Sequence, residues 1–134
     1  MPTILYANEN ELTTAPEAYF HGFVMFQAIS TPPQETGVKV VLVHFEEEAR
    51  TNWHTHPKGQ ILHITEGVCL YQEWGGKTID LQVGDSITIP AGVKHWHGAH
   101  SSTKMSHIAV QPIINGVDAV WLEPVADAQY RSKS

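Results

Sequence analysis

Between residues 38 and 122 the chain is a series of short apolar or β-branched runs, each ended within a few residues by Gly, Pro, Asn or Asp. That punctuation limits the fold more than any other feature. It allows strands and tight turns and leaves little room for helices, so about ten short strands in an antiparallel sandwich or closed barrel are expected. The expected runs are 20–29, 38–45, 52–56, 60–65, 68–74, 77–81, 86–90, 95–100, 105–111 and 119–122. Residues 38–45 are almost continuously apolar, which predicts a strand buried on both faces. The turns fall at Pro32-Pro33 with Gly37, Glu46-Glu47-Glu48, Glu66-Gly67, Gly75-Gly76, Gly84-Asp85, Pro90-Ala91-Gly92 and Asn115-Gly116. Outside the strands, residues 1–19 read as an extended arm with one helical turn near Pro16, and residues 124–131 as a closing helix. The absence of any composition shift makes one domain over residues 1–134 the simplest organisation.

Two histidine-rich stretches stand out against this background. In Asn52-Trp53-His54-Thr55-His56 the two imidazoles are one residue apart, and strand alternation sends both to the same side. The bend at Pro57-Lys58-Gly59 can then return Gln60 toward the same point. Later, Lys94-His95-Trp96-His97 repeats the spacing, with His95 completing a set of His54, His56, Gln60 and His95 around one divalent ion. By the same alternation, His97 shares a face with His95 and His107 shares one with Gln111. A neutral imidazole is well matched to proton transfer near neutral pH, so His97 and His107 are candidate general bases or second-layer supports of the ligands. Trp53 and Trp96, adjacent in sequence to ligands, should point away into packing. His21, His44, His63 and His100 fall in no pattern and are expected at the surface or an interface.

Composition excludes several partners. A net charge of -6 with no Lys/Arg cluster argues against nucleic acid and anionic membranes. No apolar run approaches the roughly 20 residues that span a bilayer, and the first ten residues lack a basic leader and an apolar segment, so a cytoplasmic location is expected. The lone Cys69 fits a reducing compartment and reads as a small buried hydrophobe.

These motifs resemble the cupin superfamily, over about residues 38–110. The first cupin motif is Gly, five residues, His-x-His, three or four residues, Glu, six residues, Gly. His54, His56 and Gly67 match it, Glu48 stands at the first Gly and Gln60 at the Glu. The second motif is Gly, five residues, Pro-x-Gly, two residues, His, three residues, Asn. Gly84, Pro90, Gly92 and His95 match, and Ala99 replaces the Asn. The three-His-one-Gln set, the His95-Trp96-His97 motif, His107 with Gln111, and the Asp127-Ala128-Gln129-Tyr130-Arg131 tail are similar to the small manganese-dependent cupin hydroxynitrile lyases.

The resemblance implies an all-β cupin jelly-roll barrel with an N-terminal arm and a short C-terminal helix. It also implies one divalent metal ion per chain, manganese first, with iron, zinc, nickel or cobalt as alternatives. Its activity would be cleavage of a cyanohydrin to a carbonyl compound and cyanide. His107 and His97 would move the proton, Gln111 would orient the small-molecule substrate, and Val41 and Val43 would line its pocket. A metal-dependent cupin dioxygenase and a non-catalytic ligand-binding cupin are the other readings, and association into a homodimer or higher oligomer is expected.

Overall fold

The computed structural model describes residues 2–30 and 36–132. The turn expected at Pro32-Pro33 lies outside the described residues. The strands in chain order are β1 (Thr13–Thr14), β2 (Phe20–His21), β3 (Val24–Ala28), β4 (Val38–Phe45), β5 (Arg50–Thr51), β6 (His54–Thr55) and β7 (Gln60–Glu66). They continue with β8 (Cys69–Glu73), β9 (Ile79–Leu81), β10 (Ser86–Ile89), β11 (His95–Ala99), β12 (Met105–Pro112) and β13 (Val120–Trp121), and the helix α1 spans Asp127–Arg131.

All pairings among the described strands are antiparallel, and they form two sheets. One runs β1-β3-β4-β12-β7-β10, the other β13-β6-β11-β5-β2 with β8 and β9 attached through β11. Their inner faces share one apolar core that includes Val24, Phe45, Leu62, Ile64, Tyr71, Ile89, Met105 and Ala109. This is the all-β, antiparallel two-sheet jelly roll that the motifs implied.

Boundaries differ where tertiary contacts compete with local propensity. Residues 20–29 form two strands rather than one, because the chain turns at Gly22 and β2 pairs with β5 while β3 pairs with β4. Of the expected strand 52–56 only His54–Thr55 is strand, and Trp53 just before it exchanges backbone hydrogen bonds with Leu122 and Glu123, which extends the pairing of β6 with β13. β4 matches its expected span, but only Val41, Val43 and Phe45 are fully buried, so one face meets the core and the other is half covered. The residues around Pro16 make a turn closed by Tyr19 N–H on the Pro16 carbonyl rather than a helical turn, and a 3-10 turn occurs earlier, at Ala7–Glu9. The closing helix starts three residues later than expected.

Arg50 explains how that helix is held. Its guanidinium is buried, donates to the Val125 carbonyl at 3.1 Å and to Asp127 Oδ1 at 2.6 Å, and lies 4.4 Å from the centre of the Tyr130 ring. Trp53 and Trp96 pack with Leu70, Val125 and Tyr130 in a second apolar cluster, on the face away from the histidines. Cys69 is buried, as expected of a small hydrophobe. No described helix is long and apolar enough to cross a membrane.

Candidate metal centre

His54 and His95 are register partners across β6 and β11, which places their ring centres 4.3 Å apart. His56 falls on the same side, with its ring centre 5.0 Å from that of His54 and 5.7 Å from that of His95. The chain then reverses through Gly59, whose φ is +85° and whose N–H donates to the His56 carbonyl at 3.1 Å. A β-carbon there would stand 2.6 Å from the Ile89 carbonyl oxygen, so both backbone angle and space require glycine. The reversal lets Gln60 open β7 against the histidines.

Three backbone carbonyls decide how these rings are protonated. Nδ1 of His54 lies 2.9 Å from the Asn52 oxygen, Nδ1 of His95 lies 2.9 Å from the Val93 oxygen, and Nδ1 of His56 lies 2.5 Å from the Asp118 oxygen. A carbonyl only accepts, so each neutral ring carries its proton on Nδ1 and leaves the Nε2 lone pair free. His56 Nε2 is buried with no hydrogen-bond partner, and His95 Nε2 lies 3.3 Å from Gln60 Oε1, an acceptor facing an acceptor. Converging lone pairs in a buried place are satisfied by a cation, and the residues present fit one. The rings stay neutral because burial holds them so. Burial, then the neighbouring His95 and His56, puts His54 well below the usual histidine range, and burial lowers His56 and brings His95 to about 4.

His97 and His107 meet across the two sheets. Nε2 of His107 is 3.1 Å from Nδ1 of His97, while His97 Nε2 and His107 Nδ1 are buried without partners. One ring must donate and the other accept, so the outer nitrogens of the neutral pair carry one N–H and one lone pair between them. Burial and then the charge of His107 would keep His97 well below its ordinary value, and burial brings His107 to about 3. Candidate ligand atoms of His54, His95 and His97 all lie within 4.8 Å of one another. That three-histidine cluster includes His97 in place of His56.

Gln60 continues into a line of polar side chains. Its Nε2 donates to Gln111 Oε1 at 2.9 Å, Gln111 Nε2 donates to Asp118 Oδ2 at 2.7 Å, and Lys39 Nζ lies 3.3 Å from the same carboxylate oxygen. Burial would raise the Asp118 carboxyl, but the hydrogen bond from Gln111 and the charge of Lys39 outweigh it and lower it overall. Asp118 escaped the sequence reading because an acid just after Asn115-Gly116 looks like any solvated turn residue.

The site opens into a cavity of about 250 Å³. Phe26, Val41, Val43, Phe45, Ala109 and Trp121 make its apolar wall, with His54, His56, Gln60, His97, His107 and Gln111 at its polar end. His95 is not among the residues that line it. Val41 and Val43 both border this cavity. Of the remaining histidines, His44 and His63 are hydrogen-bonded to Ser106 and Ser86, and His100 accepts from Ser102.

A jelly roll that presents carbonyl-tethered imidazoles beside an apolar pocket defines a barrel with a buried three-histidine cluster that could hold a metal ion. The chain belongs to the cupin family, whose domain profile matches residues 41–111. It is 40% identical over 116 residues to an (R)-mandelonitrile lyase of Granulicella tundricola, covering 87% of this chain and 88% of the relative. A cupin-like protein of Thermotoga maritima superposes with a TM-score of 0.86 at 36% identity, over 91% of this chain and 92% of that one. The polyketide cyclase RemF of Streptomyces resistomycificus shares the fold at 16% identity, with a TM-score of 0.74 over 97% of this chain and 91% of its own.

Proposed function

We propose that the protein is a metal-dependent lyase of hydroxynitrile-lyase type, which cleaves a cyanohydrin to a carbonyl compound and cyanide. The observation that carries this reading is the convergence of free acceptors from His54, His56, Gln60 and His95 beside a cavity that also holds the His97–His107 pair. The similarity to a mandelonitrile lyase supports it. In this reading those four residues hold one divalent ion per chain, manganese first and iron, zinc, nickel or cobalt as alternatives. A divalent ion held by four neutral donors supplies Lewis acidity toward a substrate oxygen and an uncancelled positive charge for a developing anion.

The chain's own groups handle the proton. His107 or His97 is neutral at rest and accepts the cyanohydrin hydroxyl proton at its free nitrogen. As the O–H electrons form the carbonyl, the bond to the nitrile carbon breaks and its electron pair leaves as cyanide. Burial disfavours a charged imidazole, so the proton passes on to the leaving cyanide and the pair returns to its neutral state. Gln111 keeps one N–H and one lone pair beyond its two hydrogen bonds and can orient the substrate with them. Val41 and Val43 set the size of the group that the pocket admits.

The His54, His95 and His97 cluster favours a second reading, a cupin dioxygenase acting on a small organic substrate, because a three-imidazole site leaves positions open. A single cytoplasmic domain associating as a homodimer completes the proposal, and the exposed Ile4, Tyr6 and Leu12 on the arm support association.

Elemental analysis coupled to cyanide release from mandelonitrile tests the lyase. The expected result is about one metal per chain, with release reduced at least 100-fold in His107→Ala at unchanged metal content. Metal-loaded protein that releases no cyanide above the buffer rate but consumes oxygen with a small organic substrate would replace the lyase with the dioxygenase.

A further inference from the structure

The line from Asp118 through Gln111 to Gln60 can be satisfied in one direction only. A carboxylate has no proton to donate, so Gln111 must turn its Nε2 to Asp118, at 2.7 Å. Its Oε1 then faces residue 60, and residue 60 must donate to it, as Gln60 Nε2 does at 2.9 Å. What remains at residue 60 is an acceptor, and Gln60 Oε1 points at His95 Nε2 from 3.3 Å. Lys39, 3.3 Å from Asp118, favours the carboxylate form on which this direction depends.

We propose that Asp118 is a positioning residue that dictates an amide, rather than a carboxylate, at residue 60. A Glu there would place an acceptor against Gln111 Oε1. Turning Gln111 over would satisfy the Glu but press Gln111 Oε1 against the Asp118 carboxylate. Either way two acceptors meet in a buried place. An amide is the group that donates on one side and accepts on the other. The Asp118 backbone carbonyl meanwhile holds His56 Nδ1, so one residue outside the histidine motifs aligns two of the four donors. This consequence for ion binding rests on the proposed role of Gln60 as a ligand; the direction of the hydrogen bonds does not.

A double-mutant cycle with Gln60→Glu and Asp118→Asn, read on chelator-stripped protein by its thermal midpoint and then by Mn(II) competition titration, tests both. Gln60→Glu alone should lower the metal-free midpoint by about 5 °C. Adding Asp118→Asn should restore most of that loss, because an amide at 118 can donate to Gln111 and let Gln111 donate to the new carboxylate. In the Gln111→Leu background, which cuts the line, the two changes should act independently. Mn(II) affinity should fall about tenfold in Asp118→Asn with Gln60 in place. Additive midpoint shifts in the first cycle would overturn the proposal. Coupled midpoints in a protein that binds no Mn(II) would uphold the hydrogen-bond direction and remove the metal reading.

Discussion

Gln60 Oε1 and His95 Nε2 stand 3.3 Å apart with no proton available to either from the other, because the His95 proton sits on Nδ1 against the Val93 carbonyl. Two lone pairs held this close inside a protein repel each other until something positive lies between them. Metal should therefore stabilise the fold as well as equip the site. At 100-fold excess over its Kd a ligand adds about 2.7 kcal/mol, which raises the midpoint by roughly 10 °C for a chain this size. Calorimetry of chelator-treated protein titrated with Mn(II) measures this, and an unchanged midpoint with Mn, Fe, Zn, Ni and Co alike would remove the ion-binding assignment.

The buried imidazoles set the acid limit of the metal-free protein. His107 and His95 have folded values of about 3 and 4 against 6.5 for a free histidine, and those of His54 and His97 lie well below the ordinary range. The unfolded chain thus takes up protons that the folded chain refuses. Stability is complete above pH 6.5 and falls as pH drops through 6.5 toward 3, by at most about 1.4 kcal/mol per pH unit for each histidine. Urea midpoints between pH 7.5 and 4.5 should fall steadily, with a shallower slope in His107→Leu. A flat profile in the native sequence would contradict this.

Val43 borders both the core and the cavity, and is 8% exposed. Val43→Phe should fill part of the pocket and lower kcat/KM for mandelonitrile at least tenfold relative to acetone cyanohydrin, with about 1–3 kcal/mol of overpacking cost. Equal losses on both substrates would mean that Val43 acts only in the core.

Glu48 adopts a φ of +68° where the cupin motif has glycine. A left-handed backbone costs a non-glycine residue about 1 kcal/mol, and the exposed contact of Glu48 with Arg131 recovers at most that. Glu48→Gly should leave stability within about 1 kcal/mol of native, while Glu48→Val should lose about 2 kcal/mol because a β-branched side chain tolerates this conformation worst. A chemical denaturation series over the two variants checks the order.

Much of the barrel could be read along the chain because its causes are local. Gly75-Gly76 closes β8 onto β9, and strand alternation puts His54 with His56 and His95 with His97, while Trp53 and Trp96 go to the other side. The turn at Pro57-Lys58-Gly59 follows from local backbone geometry, the positive φ of Gly59 and its N–H on the His56 carbonyl.

The arrangement that gives those residues their chemistry depends on partners far away in sequence. Only His54–Thr55 of the expected run 52–56 is strand, and it pairs with β13, next to which Trp53 bonds to Leu122 and Glu123 far along the chain. The His97–His107 contact needs β11 and β12, which lie in different sheets, to meet across the core. Asp118 lies 58 residues from Gln60 and carries no local signal, yet it orients Gln60 through Gln111 and fixes the tautomer of His56. The types and spacing of the donors are set by a period of two and a few tight turns, which the chain encodes locally. Their protonation and hydrogen-bond direction depend on which carbonyl or carboxylate stands opposite, and folding supplies that partner.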